Sequence, residues 1–416
     1  MGSKQTEGAG PAQPAAPTTL LRALGPADLA ALMVNATIGS GILGLPGKLY
    51  ALTGAYSLLV CLAGGVLVGL VAASFAAAAS RFTSTGGATR FAHAAFGPAA
   101  GGIAGALALT SAAVSYAAIA NLVLTYAAAL LPGIDAGAAR AAALAAITAA
   151  LFTLVYRGVR LSARTHTVFA VVKFALLFGF AALALPAILR HPLPASPLPP
   201  AANWTPALVF MLYGLTGLES TVISNGEMRD PARDIPGALA LGVIAVSTIY
   251  GVVLLACMAT VPDLAHSSRP VYDGAREVGG AIAGALVIAG GCVSMLGVMF
   301  VIAFALPRIV FALAEAGQMP AALARLHTRF QTPHLAVRII APAAFCLAWS
   351  ASFVTALQLA VLARLALYTL TALAAAVLAR RGFAETATPL NLPGGALIPA
   401  AAALLCAALF ARTLLS

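Results

Sequence analysis

From about residue 27 onward the chain alternates long apolar runs with short polar connections, and the runs are too long to be strands. Ala55–Ala79, Val168–Leu185 and Leu239–Val261 each hold about 18 or more residues with one ionisable group or none, enough to cross the roughly 30 Å hydrocarbon core of a bilayer as a helix. The two-residue alternation of a β-barrel is absent, and backbone groups in lipid must be paired internally, which leaves helices. The pattern predicts eleven spans, at 27–50, 54–80, 98–131, 139–157, 164–188, 204–228, 236–261, 277–314, 336–353, 356–380 and 394–413. The expected fold class is an all-α membrane protein of about eleven transmembrane helices.

Two of these spans share an oddity. The first is interrupted by Gly39-Ser40-Gly41, with Pro46 soon after, and the sixth by Gly214 and Gly217. Gly-interrupted spans in corresponding positions of two halves are the best sequence pointer to a transporter binding site. Five spans begin with each broken helix, and an odd number inserts the second half upside down. The expected organisation is a first five-helix repeat over 23–190, an inverted second repeat over 200–382 and an additional C-terminal helix at 393–416. Residues 1–22, rich in Gly, Pro, Ala and Gln, are expected to be a disordered cytoplasmic tail. That tail lacks the charged-then-apolar order of a cleavable signal, so the first span is expected to stay in the mature protein.

A helix broken near the bilayer midplane offers N–H groups at one half-helix N-terminus and carbonyls at the other half's C-terminus. The first suits a carboxylate and the second an ammonium. A zwitterionic amino acid presents both. Gly39, Ser40 and Gly41 are therefore candidates to cradle the carboxylate, with the Ser40 hydroxyl as a further donor. The carbonyls of Thr37 and Ile38, and of Gly214, Leu215 and Thr216 ahead of Gly217, are candidates for the amine. The plainer reading is that these small residues only let helices pack closely; two breaks five spans apart favour the site.

Composition and charge narrow the classes. Only 8% of residues are charged and 61% are hydrophobic, against about 25% charged in an ordinary globular chain. The net charge of +11 invites a nucleic-acid reading, but its distribution opposes it. With the N-terminus in the cytoplasm, inner segments carry fifteen Lys/Arg, outer segments six, and two lie within spans. That is the positive-inside bias of an inner or plasma membrane protein. Trp204 and Trp349 fall at outer helix ends, where interfacial anchors belong. Cys61, Cys257, Cys292, Cys346 and Cys406 each sit alone in an apolar span and read as small buried hydrophobes. No metal, flavin or nucleotide is implied, and no Walker loop is present.

Three ionisable groups lie deep in spans. Glu219 is roughly 12 Å from the inner end of its helix at 1.5 Å per residue, where it can carry a proton, sense solute, or simply bond backbone exposed by the break. Lys173 is near midplane, about 13 Å from the inner end and far for snorkelling. Arg364 lies roughly 24 Å from the inner Arg380; snorkelling to the outer surface is the plain reading, and an outer vestibule group attracting anions the alternative. Tyr116, Asn121, Tyr368 and Ser294 either line the pocket or join helices.

Asn35-Ala-Thr-Ile-Gly-Ser-Gly-Ile-Leu-Gly-Leu-Pro46 resembles the first-helix signature of the amino acid–polyamine–organocation superfamily. Phe210-Met-Leu-Tyr-Gly-Leu-Thr-Gly-Leu-Glu219, continuing through Gly226-Glu-Met-Arg-Asp-Pro-Ala-Arg-Asp-Ile-Pro236, resembles its sixth helix and following loop. Ser84-Thr-Gly-Gly87 with Ala95-Phe-Gly-Pro98, and Ala316-Gly317-Gln-Met-Pro320, match further segments in order. The resemblance implies a leucine-transporter-type fold, alternating access around a midplane amino-acid site, and Tyr213 as the aromatic lid. It also implies that Lys173 replaces the sodium ion that coupled relatives hold between the first and eighth helices, bonding carbonyls near Thr37 and a hydroxyl such as Ser294. The family usually has twelve spans and eleven are found here, which puts any contact of a twelfth helix in doubt. The apolar third, eighth and tenth spans point to a neutral side chain on the solute. The expected function is a secondary transporter, not an enzyme, driven by protons or by counter-transported solute. The alternatives are an amine or polyamine exchanger, which would want more acids than Glu219, and a transport-inactive membrane protein that senses amino acids.

Overall fold

The computed structural model describes residues 34, 37–82, 87–158, 163–190, 197–217, 231–386 and 389–415, with backbone alone at 163–168 and 231–235. Within these, the chain is helical and eight stretches are long and apolar enough to cross a membrane. One of the eight, Ser40–Ala79, is two helices joined by a single turn. We number the helices α1 (Ser40–Thr53), α2 (Ser57–Ala79), α3 (Gly87–Phe96), α4 (Pro98–Ala127), α5 (Gly137–Tyr156) and α6 (Ala163–Arg190). They continue as α7 (Ala201–Leu215), α8 (Pro231–Thr260), α9 (Pro270–Glu315), α10 (His334–Ser350), α11 (Phe353–Arg380) and α12 (Leu397–Leu415).

A helix lies in every predicted span; among the described residues eight stretches meet the length criterion, while α7 and α10 fall short of it and α1 is counted together with α2. Three features differ from the expected pattern. The α3 helix fills a connection; it starts after a stretch of small polar residues and stops at Gly97, whose φ of 92° ends it before Pro98 opens α4. The α9 helix begins at Pro270 and kinks at Gly280, φ 71°, so its first turns occupy what reads as a loop from hydropathy alone. Cys346 is exposed on α10, whereas Cys61, Cys257 and Cys406 are buried. The expected tail at 1–22 lies outside the described residues.

Glycines shape the packing at the centre. Gly64 and Gly65 on α2 face Met211 of α7 and Ser247 of α8, with no room for a β-carbon. Small residues of this kind let a neighbouring helix seat its side chains close against the backbone. Around that centre, α11 packs on α4 and α12, while α8 packs on α2.

Each end of the bundle is tied down. At the arginine-rich end, Arg81 donates to the Phe383 carbonyl at 3.0 Å and to Asn391 at 3.3 Å, and Arg90 pairs with Glu385 at 2.8 Å. At the other end, Arg140 of α5 donates to Asn121 Oδ1 on α4 at 2.7 Å. It also reaches the Ala348, Trp349 and Ala351 carbonyls. These are orphan carbonyls of the α10 C-terminus, where a cation is favoured by the helix dipole.

Candidate functional site

The first break falls at Ile38–Gly39. Val34 and Thr37 are helical, and the Ile38 amide still donates to Val34 O at 3.0 Å. Gly39, at φ −146° and ψ −129°, leaves the helix, and Ser40 opens α1. The amides of Ser40, Gly41 and Ile42 therefore lie in the first turn, where no helical carbonyl precedes them. The sixth-span break falls at Thr216–Gly217. Thr216 is extended at φ −81° and ψ 146°, and Gly217 has φ 145°, which disfavours any other residue. Gly214 and Leu215 remain helical. The Thr216 hydroxyl, by donating to Tyr213 O at 2.7 Å, closes the helix end locally. The glycines marked the right spans, and the chain unwinds beside them.

The two breaks meet. A β-carbon on Gly41 would lie 2.7 Å from Gly214 Cα and against the Tyr250 hydroxyl. One on Gly217 would meet Thr37 Oγ1 and lie 2.9 Å from Thr37 Cα. What excludes a side chain at Gly41 is thus helix packing, the plainer of the two sequence readings for that residue. Ser40 and Tyr213 share a hydrogen bond of 2.9 Å across the junction. Phe353, the first residue of α11, stands edge-on to Tyr213 at 6.3 Å and packs its ring over Gly44. Tyr213 and Phe353 thus form an aromatic pair whose phenol meets the Ser40 hydroxyl.

Arg364 differs from the snorkelling expectation. Its guanidinium donates to Thr216 Oγ1 at 2.6 Å, so it points inward to the sixth-span break. Arg364 is linked through Thr216 to the backbone carbonyl of Tyr213, and the hydroxyl of Tyr213 separately bonds Ser40, so these contacts tie α11 to α7 and α7 to α1. Lys173 lies elsewhere in the centre. It is buried, and with Ile38, Gly39, Ile42 and Leu43 of the first span and Gly291 and Ser294 of α9 it lines a small cavity. The cavity has room for about one water-sized group. The structure thus brings Thr37, Ile38, Gly39, Ser40, Gly41, Tyr213, Gly214, Leu215, Thr216, Gly217 and Arg364 to one junction, with Lys173 on the side facing α6 and α9. Glu219 lies outside the described residues, as does the start of the loop motif after it, 226–230.

Of the other pocket candidates, Tyr116 bonds Thr148 and Asn121 bonds the Ala117 and Ala348 carbonyls, so both join helices. Tyr368 packs edge-on to Phe75 at 5.7 Å, and Ser294 reaches the Lys173 cavity. Sequence reasoning missed Tyr250 and Phe353. Tyr250 Oη and Thr37 Oγ1 are buried without a hydrogen-bond partner among the described residues, and both touch glycines of the junction. Nothing in the sequence singles out Tyr250, a lone tyrosine in an apolar helix; Phe353 sits at a span boundary, where hydropathy is silent.

A family model described as amino acid permease matches residues 24–415. The chain is 27% identical over 397 residues to an uncharacterised transporter of Mycobacterium tuberculosis H37Rv, covering 88% of this chain and 82% of that one. It is 25% identical over 348 residues to a branched-chain amino acid permease of Bacillus subtilis, covering 76% and 72%. A methylthioribose transporter of the same organism is 24% identical over 416 residues, covering 93% and 87%.

Proposed function

The chain belongs to the amino acid permease family, and from that premise we propose that it carries small amino acids with neutral side chains by alternating access. The observation that carries this reading is the junction itself. Two interrupted helices cross at Gly41–Gly214 and Thr37–Gly217, and each presents a helix end. The first turn of α1 offers amides suited to a carboxylate, and the end of α7 offers carbonyls suited to an ammonium. Thr37 and Tyr250 add buried polar atoms whose bonding capacity is unused among the described residues, a state that is costly unless some phase of the cycle satisfies it.

In this reading the two interrupted helices head five-helix repeats of opposite orientation, and the arginine-rich end faces the cytoplasm. Tyr213 and Phe353 close the path on the opposite side. Lys173 supplies, from within the chain, the positive charge that a coupling cation brings in other transporters, and protons or exchanged solute drive the cycle. The branched-chain permease among the relatives favours a neutral amino acid; the methylthioribose transporter keeps a non-amino-acid solute as the second reading.

The test is a thermal-shift screen of purified protein against all amino acids, common amines and methylthioribose, followed by counterflow in proteoliposomes with the hits. A solute at 100 times its dissociation constant adds about 2.7 kcal/mol of stability. Stabilisation and counterflow by neutral amino acids are expected; a response to methylthioribose alone overturns the substrate assignment.

A further inference from the structure

We propose that Tyr250 is a positioning residue for the interrupted pair. Its hydroxyl, wedged unbonded between Gly41 and Gly214, gains a hydrogen bond when α1 and α7 part, and so biases the protein away from the packed arrangement. The inference rests on the proposed transport function and deepens it, by assigning a residue to the movement rather than to the solute. Tyr250 stands on α8, outside both interrupted helices, and is 3% exposed. A β-carbon on Gly41 would press on its oxygen, and one on Gly214 would lie 2.7 Å from its Cε1 and 3.0 Å from its Oη. The phenol therefore fills the angle where the two backbones cross. Its oxygen nevertheless has no hydrogen-bond partner among the described residues. Phenylalanine would supply the same apolar contact, so the hydroxyl is held at a cost in this arrangement.

The second crossing repeats the pattern. Thr37 Oγ1 is buried, unbonded among the described residues, and touches Gly217. Each place where the interrupted helices meet thus holds a hydroxyl against a glycine, and neither hydroxyl is satisfied while the helices are packed. Ser247, one turn before Tyr250 on α8, is also unbonded, but it faces Gly65 of α2, away from the junction. Acceptors are at hand once the packing loosens. The last carbonyls of α7, those of Gly214 and Leu215 among them, have no helical amide following them. A carbonyl has two lone pairs, so the same end can take the phenol as well as a solute ammonium. An unbonded buried hydroxyl shifts the balance between two arrangements by about 5- to 150-fold.

The experiment joins hydrogen exchange of the solute-free, full-length protein over residues 37–43 and 211–217 to counterflow kinetics in proteoliposomes. Tyr250→Phe removes the hydroxyl and keeps the ring. Exchange of both segments should slow by about fivefold or more, because the packed arrangement loses its penalty. A ring that served only as packing would leave exchange unchanged or speed it. With labelled leucine as solute, the maximal rate should fall by about fivefold or more while half-saturation stays within about twofold. Ser247→Ala should leave exchange of both segments as in wild type. If Tyr250→Phe is not monodisperse, Thr37→Val makes the same test at the second crossing, read by exchange alone and with the same slowing expected. Unchanged or faster exchange overturns the inference, as does an unchanged maximal rate with raised half-saturation, which makes Tyr250 a solute contact. Absence of any amino-acid counterflow in wild type instead sinks the transport assignment, and the solute-free exchange comparison still decides the role of Tyr250.

Discussion

Gly41 separates the two readings of the interrupted first span, since one reserves its surface for solute and the other for α7. A methyl group there would lie 2.7 Å from Gly214 Cα, and ordinary contact begins at 3.4 Å, so α1 and α7 must part by about 0.7 Å. The obstacle is backbone on both sides and cannot rotate away. A gap of that size forfeits a quarter to a half of the dispersion energy along the separated faces. Overpacking of this kind costs about 1–3 kcal/mol. Gly39 is the control: its β-carbon would meet Val298 at 3.6 Å, an ordinary contact. We expect Gly41→Ala to lower the thermal transition of the purified protein clearly and Gly39→Ala to lower it little. Adding Tyr250→Phe to Gly41→Ala should recover only part of the loss, because the hydroxyl goes but Gly214 remains. The measurement is tryptophan or dye-reported melting with and without solute. A Gly41→Ala protein that melts like wild type yet binds nothing would refute the packing argument and restore Gly41 to the solute.

Ser40→Ala and Tyr213→Phe each break the same 2.9 Å bond. Each should raise the apparent KM by about 2- to 12-fold, the equivalent of 0.5–1.5 kcal/mol, and the double variant little further. A loss of a hundredfold in Ser40→Ala with none in Tyr213→Phe would show that Ser40 acts on the solute directly. Lys173→Ala should fold and lose most transport, and wild-type uptake should persist when choline replaces sodium. Uptake that collapses without sodium removes Lys173 from its assigned role as built-in cation.

How much of this was legible in the sequence divides by the kind of physics involved. Hydropathy located helices in every predicted stretch because burial in lipid acts on each residue locally. The glycine pairs located the interrupted spans for the same reason, since a helix end must be allowed by its own residues. What the sequence did not carry was direction. Arg364 reads as a snorkelling cation by depth alone, and only the position of Thr216 on another helix draws it inward. Asn121 reads equally as pocket or strut; Arg140 from α5 and the Ala348 carbonyl from α10 make it a strut. Tyr250 carries no local mark at all, yet it fills the angle left by two glycines 173 residues apart, Gly41 and Gly214. In each case the deciding partner lies on a helix remote in sequence, and that is the information a linear pattern lacks. The same reasoning bears on where selectivity resides. In the proposed reading the helix ends contact what all amino acids share, whereas α11 approaches from outside the interrupted pair and brings Arg364 to the sixth-span break. Side-chain discrimination should therefore change most readily by substitution on α11, and binding of the shared backbone by substitution on α1 and α7.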